Sequence, residues 1–103
     1  MAVLKDIFGE VLIDRPDLVD FKGFDFFDMF LQYADFRGMD LTGARFDYCD
    51  LRDAVFDGAN LSECTFERAD CRDVDFDLAD TYTADFWGVI TRKSGSAAHA
   101  MGG

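Results

Sequence analysis

The chain has 103 residues, half of them hydrophobic, with 21 acidic side chains against 10 basic ones and a net charge of −11. That length supports one small domain, near the lower limit for an autonomous core. The charge argues against direct binding to nucleic acid, whose phosphates repel it, and no apolar run approaches the ~20 residues that span a bilayer.

The first element expected is helical. Val3, Leu4, Ile7, Phe8, Val11 and Leu12 fall at helical spacing, and Pro16 bars the helix from continuing. Residues 1–16 therefore read as a short amphipathic capping helix. Lys5, Asp6 and Glu10 interrupt the apolar stretch, unlike a secretion signal. The acids Asp6, Glu10 and Asp14 also argue against a membrane-surface helix, which favours Lys and Arg.

A different rule governs residues 17–91. Phe21, Phe26, Leu31, Phe36, Leu41, Phe46, Leu51, Phe56, Leu61, Phe66, Cys71, Phe76, Thr81 and Phe86 recur every fifth residue without a slip of phase. Two residues before each lies a second apolar series, mostly small: Ala34, Ala44, Cys49, Ala54, Ala59, Cys64 and Ala69 are examples. Five fits neither the 3.6 period of a helix nor the 2.0 period of a strand. It fits a chain that turns a corner every five residues. Gly23, Gly38, Gly43, Gly58 and Gly88 all stand two residues after a large apolar centre, the phase of a corner needing positive φ. Asp20, Asp25, Asp35, Asp40, Asp50, Asp70, Asp75, Asp80 and Asp85 stand just before a centre, where a carboxylate can accept from nearby backbone N–H groups in an Asx turn. Phe27 and Phe30 sit at outward phases, so the N-terminal cap is expected to cover them together with Phe24 and Met29. After Trp87, Val89 and Ile90, residues 92–103 lack apolar periodicity and read as a flexible tail.

The units Ala34-Asp35-Phe36, Ala59-Asn60-Leu61, Ala69-Asp70-Cys71, Ala79-Asp80-Thr81 and Ala84-Asp85-Phe86 resemble the pentapeptide repeat family, with its motif A-[D/N]-[L/F]-x-x. The resemblance spans about 70 of the 103 residues. It implies an all-β solenoid: a right-handed, quadrilateral (four-sided) parallel β-helix, here of about three and a half coils. At ~4.8 Å per coil the rod is only ~17 Å long. Residues twenty apart should then stack. One opposite pair of sides carries Phe ladders (26, 46, 66, 86 and 36, 56, 76), and the other carries the smaller centres. Arg52 and Arg72 stack, each flanked by carboxylates, as a surface ion-pair ladder.

Site chemistry is sparse in the sequence. The lone His99 lies in the tail, so no nucleophile–base pair has a rigid site. The glycines are corner residues, not a phosphate-cradling loop. Cys49, Cys64 and Cys71 occupy inward phases and lack the spacing of metal ligands, so they read as buried thiols in a reducing compartment, the cytoplasm. No catalytic residue, metal or cofactor is expected.

Residues 17–86 hold eighteen acidic and six basic side chains, a net charge of −12. Duplex DNA carries ~10 charges over a similar ~17 Å. Two functional readings follow. One is a non-catalytic protein-interaction module or scaffold on a rigid acidic rod. The other comes from the resemblance: some pentapeptide repeat proteins bind DNA gyrase or topoisomerase IV as DNA mimics and modulate quinolone action, which makes a type II topoisomerase a candidate partner. The acidic face expected to meet a basic partner is Asp57, Asp75 and Asp77, with Asp47 and Glu67 on an adjacent side near Arg45 and Arg68. At the C-terminal end, Phe86, Trp87, Val89 and Ile90 are expected to join two copies into a dimer, because an uncapped sheet edge beside apolar surface seeks a partner.

Overall fold

A computed structural model describes residues 1–92; beyond residue 92 the expected tail lies outside the described residues. From Phe21 onward the backbone winds as a solenoid with a twenty-residue turn. Every parallel bridge among the described residues joins positions twenty apart, as in Asp25 to Arg45, Asp50 to Asp70 and Asp70 to Ile90. Four five-residue units therefore close one turn. We number its sides by their centres: side one holds Phe21, Leu41, Leu61 and Thr81; side two holds Phe26, Phe46, Phe66 and Phe86; side three holds Leu31, Leu51 and Cys71; side four holds Phe36, Phe56 and Phe76.

The corner chemistry is uniform. At each of the fourteen centres, from Phe21 to Phe86, the carbonyl accepts the N–H three residues on, as Phe56 does from Ala59 at 2.9 Å. The third residue of each turn has positive φ, as in type II turns, with a single exception at Leu78. Glycine fills five of these corners; Asp28, Tyr33, Tyr48, Asp53, Glu63, Arg68, Asp73 and Thr83 hold the same conformation, φ 56 to 69°. The Asp residues ahead of the centres do what their phase implies. All nine, and Asn60, accept the N–H two residues on.

Packing follows from the register. Phe26, Phe46, Phe66 and Phe86 stack at 4.7 to 5.0 Å, close to parallel. Phe36, Phe56 and Phe76 form the second ladder at 4.9 and 5.3 Å. The two ladders meet edge-on across the core, for instance Phe46 against Phe56 at 5.8 Å. Sides two and four are thus opposite, and aromatic rings fill that axis while leucines fill the other. Every centre from Phe21 to Cys71 is buried, as are the small residues from Ala34 to Ala69 at the second inward phase, Met39 excepted. Cys49 and Cys64 donate weakly to the carbonyls of Phe26 and Leu41. Burial pushes their thiols up to about 12 and about 11, and raises Cys71 as well.

The ladder breaks once, on side four in the last coil. Asp75 makes no bridge to Val55, and Gly58 donates to Leu78 rather than to Asp77. The Phe56–Phe76 rings are tilted 27° instead of the 7° of Phe36–Phe56. The break coincides with Leu78, which stands at the corner phase without the positive φ that the other thirteen corners use.

The N-terminal cap is not a helix. It is a hairpin of β1 (Ala2–Lys5) and β2 (Val11–Arg15), antiparallel, with Leu4 opposite Ile13 and a bulge after Leu4. Gly9 at φ 93° turns the connection, and Asp6 Oδ1 accepts from Phe8 and Glu10 N–H at 2.9 Å. The physical reason lies in the neighbour. The first coil presents unpaired backbone groups, and the end of β1 with the residues after it satisfies some of them: Asp35 N–H donates to Lys5 O and Ile7 N–H to Tyr33 O, both at 2.9 Å. A strand can pair with that edge and a helix cannot. Gly9 would also weaken a helix at its middle. Burial accordingly alternates along β1, with Ala2 and Leu4 inward and Leu4 sealed over the core. The expected cover of Phe27 and Phe30 fails with the helix, since both remain exposed.

Candidate functional site

The five acidic residues expected to form one face do not share a face. Asp57, Asp75 and Asp77 project from side four and are exposed. Asp47 and Glu67 follow Phe46 and Phe66 on side two, the opposite side, not an adjacent one. Asp47 is moreover only 8% exposed. Its Oδ2 accepts from Arg45 Nε and its Oδ1 from Glu67 N–H, both at 3.0 Å. Burial alone would raise the Asp47 carboxyl; hydrogen bonds from Arg45, Thr65 and Glu67 outweigh it and hold the group below the ordinary carboxylate value. Asp47 is therefore a structural residue, sealing side two between coils.

Much of the remaining acid is likewise occupied. Arg52 forks onto Asp50 (2.9 and 2.7 Å) and Arg72 onto Asp70 (2.8 and 2.6 Å). Arg52 also reaches Asp70 at 3.9 Å, which completes the expected ladder on side three. Hydrogen bonding by these arginines lowers both carboxyls. Arg37 forks onto Asp35 in the same way at the top of side four. What is left on side four is Asp57, Asp75 and Asp77, which form no ion pair among the described residues; Asp75 spends one oxygen on the Asp77 N–H at 2.8 Å. These three surround the ladder break.

At the C-terminal end, Phe86 and Val89 are half-buried against the core, while Trp87 (67%) and Ile90 (43%) are exposed. The Ile90 backbone closes the coil, donating to Ala69 O and accepting from Cys71 at 2.7 Å. Below it, the N–H groups of Phe76, Thr81 and Phe86 have no backbone acceptor among the described residues. Two further apolar side chains belong to this end, Leu78 (69% exposed) and Tyr82 (80%). The repeat phase could have found them, because both are large residues at outward positions.

The same signal marks the other end. Phe27, Phe30 and Tyr48 are exposed at outward phases, and Phe8 is exposed at the hairpin tip. Phe27 meets Tyr48 edge-on at 5.5 Å, and Phe8 meets Tyr33 at 5.2 Å. Beside the hairpin lies a shallow depression of about 200 Å³ lined in part by Met1, Val19, Phe21 and Met39. Its carboxylates serve turns: Asp20 accepts from Lys22 N–H, and Asp40 from Thr42 N–H and Oγ1.

A five-residue turn, a twenty-residue register and paired inward phases define a four-sided repeat solenoid. Two pentapeptide repeat models match, one over residues 41–90 and the other over residues 20–58. The chain belongs to the pentapeptide repeat family. A comparison with curated proteins finds no match.

Proposed function

We propose that the chain is a non-catalytic interaction rod that binds protein through its ends and faces. The observation that carries this reading is the distribution of large apolar side chains. They are exposed at both ends of the solenoid, while the carboxylates between them are largely engaged in turns and ion pairs. Contiguous apolar surface of this kind marks association sites. Buried, unreactive thiols suit a reducing compartment, and the cytoplasm is the proposed location.

One partner is a second copy. The N–H groups of the last coil that have no backbone acceptor among the described residues, with Trp87, Ile90, Leu78 and Tyr82 around them, favour a two-fold dimer through C-terminal ends. Light scattering should give twice the monomer mass at tens of micromolar. Trp87→Asp/Ile90→Asp should return the monomer with the β circular dichroism intact; a monomeric wild type refutes the dimer.

The narrower reading, duplex mimicry toward a type II topoisomerase, is favoured by one observation: Asp57, Asp75 and Asp77 are exposed together and form no ion pair among the described residues. A supercoiling titration with gyrase tests it. Inhibition or protection should disappear in Asp57→Lys/Asp77→Lys and weaken steeply with salt. No effect of wild-type protein at tens of micromolar removes this reading and leaves the interaction rod.

A further inference from the structure

We infer that the N-terminal end of the rod carries a docking surface, centred on Phe30, for a basic protein segment that also bears apolar side chains. This rests on the reading of the chain as a protein-binding rod, but it names a different surface and a different partner chemistry. Phe30 occupies the phase just before a centre, where most repeats place an Asp or Asn bonded to its own turn. Its ring makes no such bond and is 86% exposed. Phe27 with Tyr48 lies one corner before it, and Tyr33 with Phe8 lies after it. Six residues of extended chain separate Phe27 from Tyr33, so the band is at most ~20 Å long. That is about the length of a six-residue strand.

The backbone shows that the band is unfinished surface. The backbone N–H and C=O groups of Asp25 and Phe30 have no backbone partner among the described residues, because the hairpin pairs only with residues 33–35. An open edge beside exposed rings is a template for an added segment. The rim then selects its charge. Asp6 and Glu10 at the hairpin, Asp28 above Tyr48, and Asp53 below Tyr33 form no ion pair among the described residues. Arg45 and Arg52 are already committed. Arg52 is held by Asp50 and Asp70. Arg45 contacts Asp25 and Asp47 and lies 4.2 Å above the Phe27 ring. That Arg45–Phe27 contact is an internal example of how an incoming arginine would sit on Phe30. A nucleic acid, an anionic membrane or another −11 chain is repelled by the same rim.

The test is a titration of the isotopically labelled full chain, followed by amide NMR. The probe is a synthetic strand-forming peptide that alternates valine and arginine, with a glycine–arginine peptide of equal charge as control. Amide shifts should concentrate at residues 6–10, 27–33 and 48. Affinity should fall at least tenfold for the control peptide and for Phe8→Ser/Phe30→Ser, both exposed positions whose replacement should leave the melting temperature intact. Asp57→Lys/Asp77→Lys should bind within twofold of wild type. Shifts centred on Asp57, Asp75 and Asp77, equal binding by the Phe8/Phe30 variant, or no binding at all would overturn the inference. So would partition of wild type, but not of Phe8→Ser/Phe30→Ser, onto zwitterionic vesicles, which would assign the band to a lipid surface. Trp87→Asp/Ile90→Asp should titrate as wild type, so failure of the C-terminal dimer and failure of this surface are read separately.

Discussion

The two ends of the rod solve the same problem differently. At the N-terminal end the hairpin places Leu4 over the core and donates and accepts across residues 33–35, and Phe21 and Phe26 are buried. At the C-terminal end Phe76, Thr81 and Phe86 keep the inward phase yet are only half-buried. Identical repeats thus acquire different worth by position. A ring in a solenoid is buried by the coils on both sides of it, so the last coil can order its side chains but cannot bury them.

The comparison can be broken most forcefully at Phe56, which has ladder neighbours on both sides. Phe56→Ala should destabilise by ~3–5 kcal/mol, while Phe86→Ala should lose roughly half as much, since among the described residues it has a ladder neighbour on one side only and is half-buried. Urea titrations that give equal losses would contradict the positional argument. Leu4→Ala tests the other end and should cost ~2–4 kcal/mol, with amide exchange at Tyr33 and Asp35 accelerated. A neutral Leu4→Ala would mean that the hairpin is not a cap.

Acid should loosen the middle of the rod next. Asp35, Asp47, Asp50 and Asp70 all have folded-state carboxyls held below their ordinary value. A depressed folded value contributes stability that is present above the unfolded value of ~3.9 and is lost as pH falls through it toward the folded one. Denaturation midpoints should therefore be flat from pH 7 to about 5 and decline below about pH 4. Asp47→Asn should flatten that decline in part, and an unchanged profile would remove Asp47 from the structural set.

The smallest expected effect sharpens the picture of the last coil. Leu78→Gly supplies a residue that adopts positive φ freely. It should restore the bridge between Val55 and Asp75 and stabilise by ~1 kcal/mol, the net worth of a hydrogen bond or two less the glycine entropy. Slower exchange of the Phe56 amide is the direct readout. No change in that amide would mean that the break has another cause.

The period of five determined most of this protein. It named the buried centres, the small inward residues, the corner phase and the Asx carboxylates, because each depends only on the local repeat and its phase. It also sets sides two and four on opposite faces, so the expectation that Asp47 and Glu67 adjoin Asp57 fails on the register itself: Phe46 and Phe56 are two corners apart. The exposed Leu78 and Tyr82 were legible by the same phase rule. Other features were not. Residues 2–13 suit helical spacing and strand alternation alike, and the open edge of residues 33–35 decided for a strand. Asp47 resembles Asp57 in sequence, one residue after a Phe centre, yet one is sealed by Arg45 and the Glu67 amide while the other stands in solvent. Arg45 is a near neighbour in sequence, but the Glu67 amide and the Lys5 carbonyl are twenty or more residues from the groups they meet, and only the closed coil brings them there.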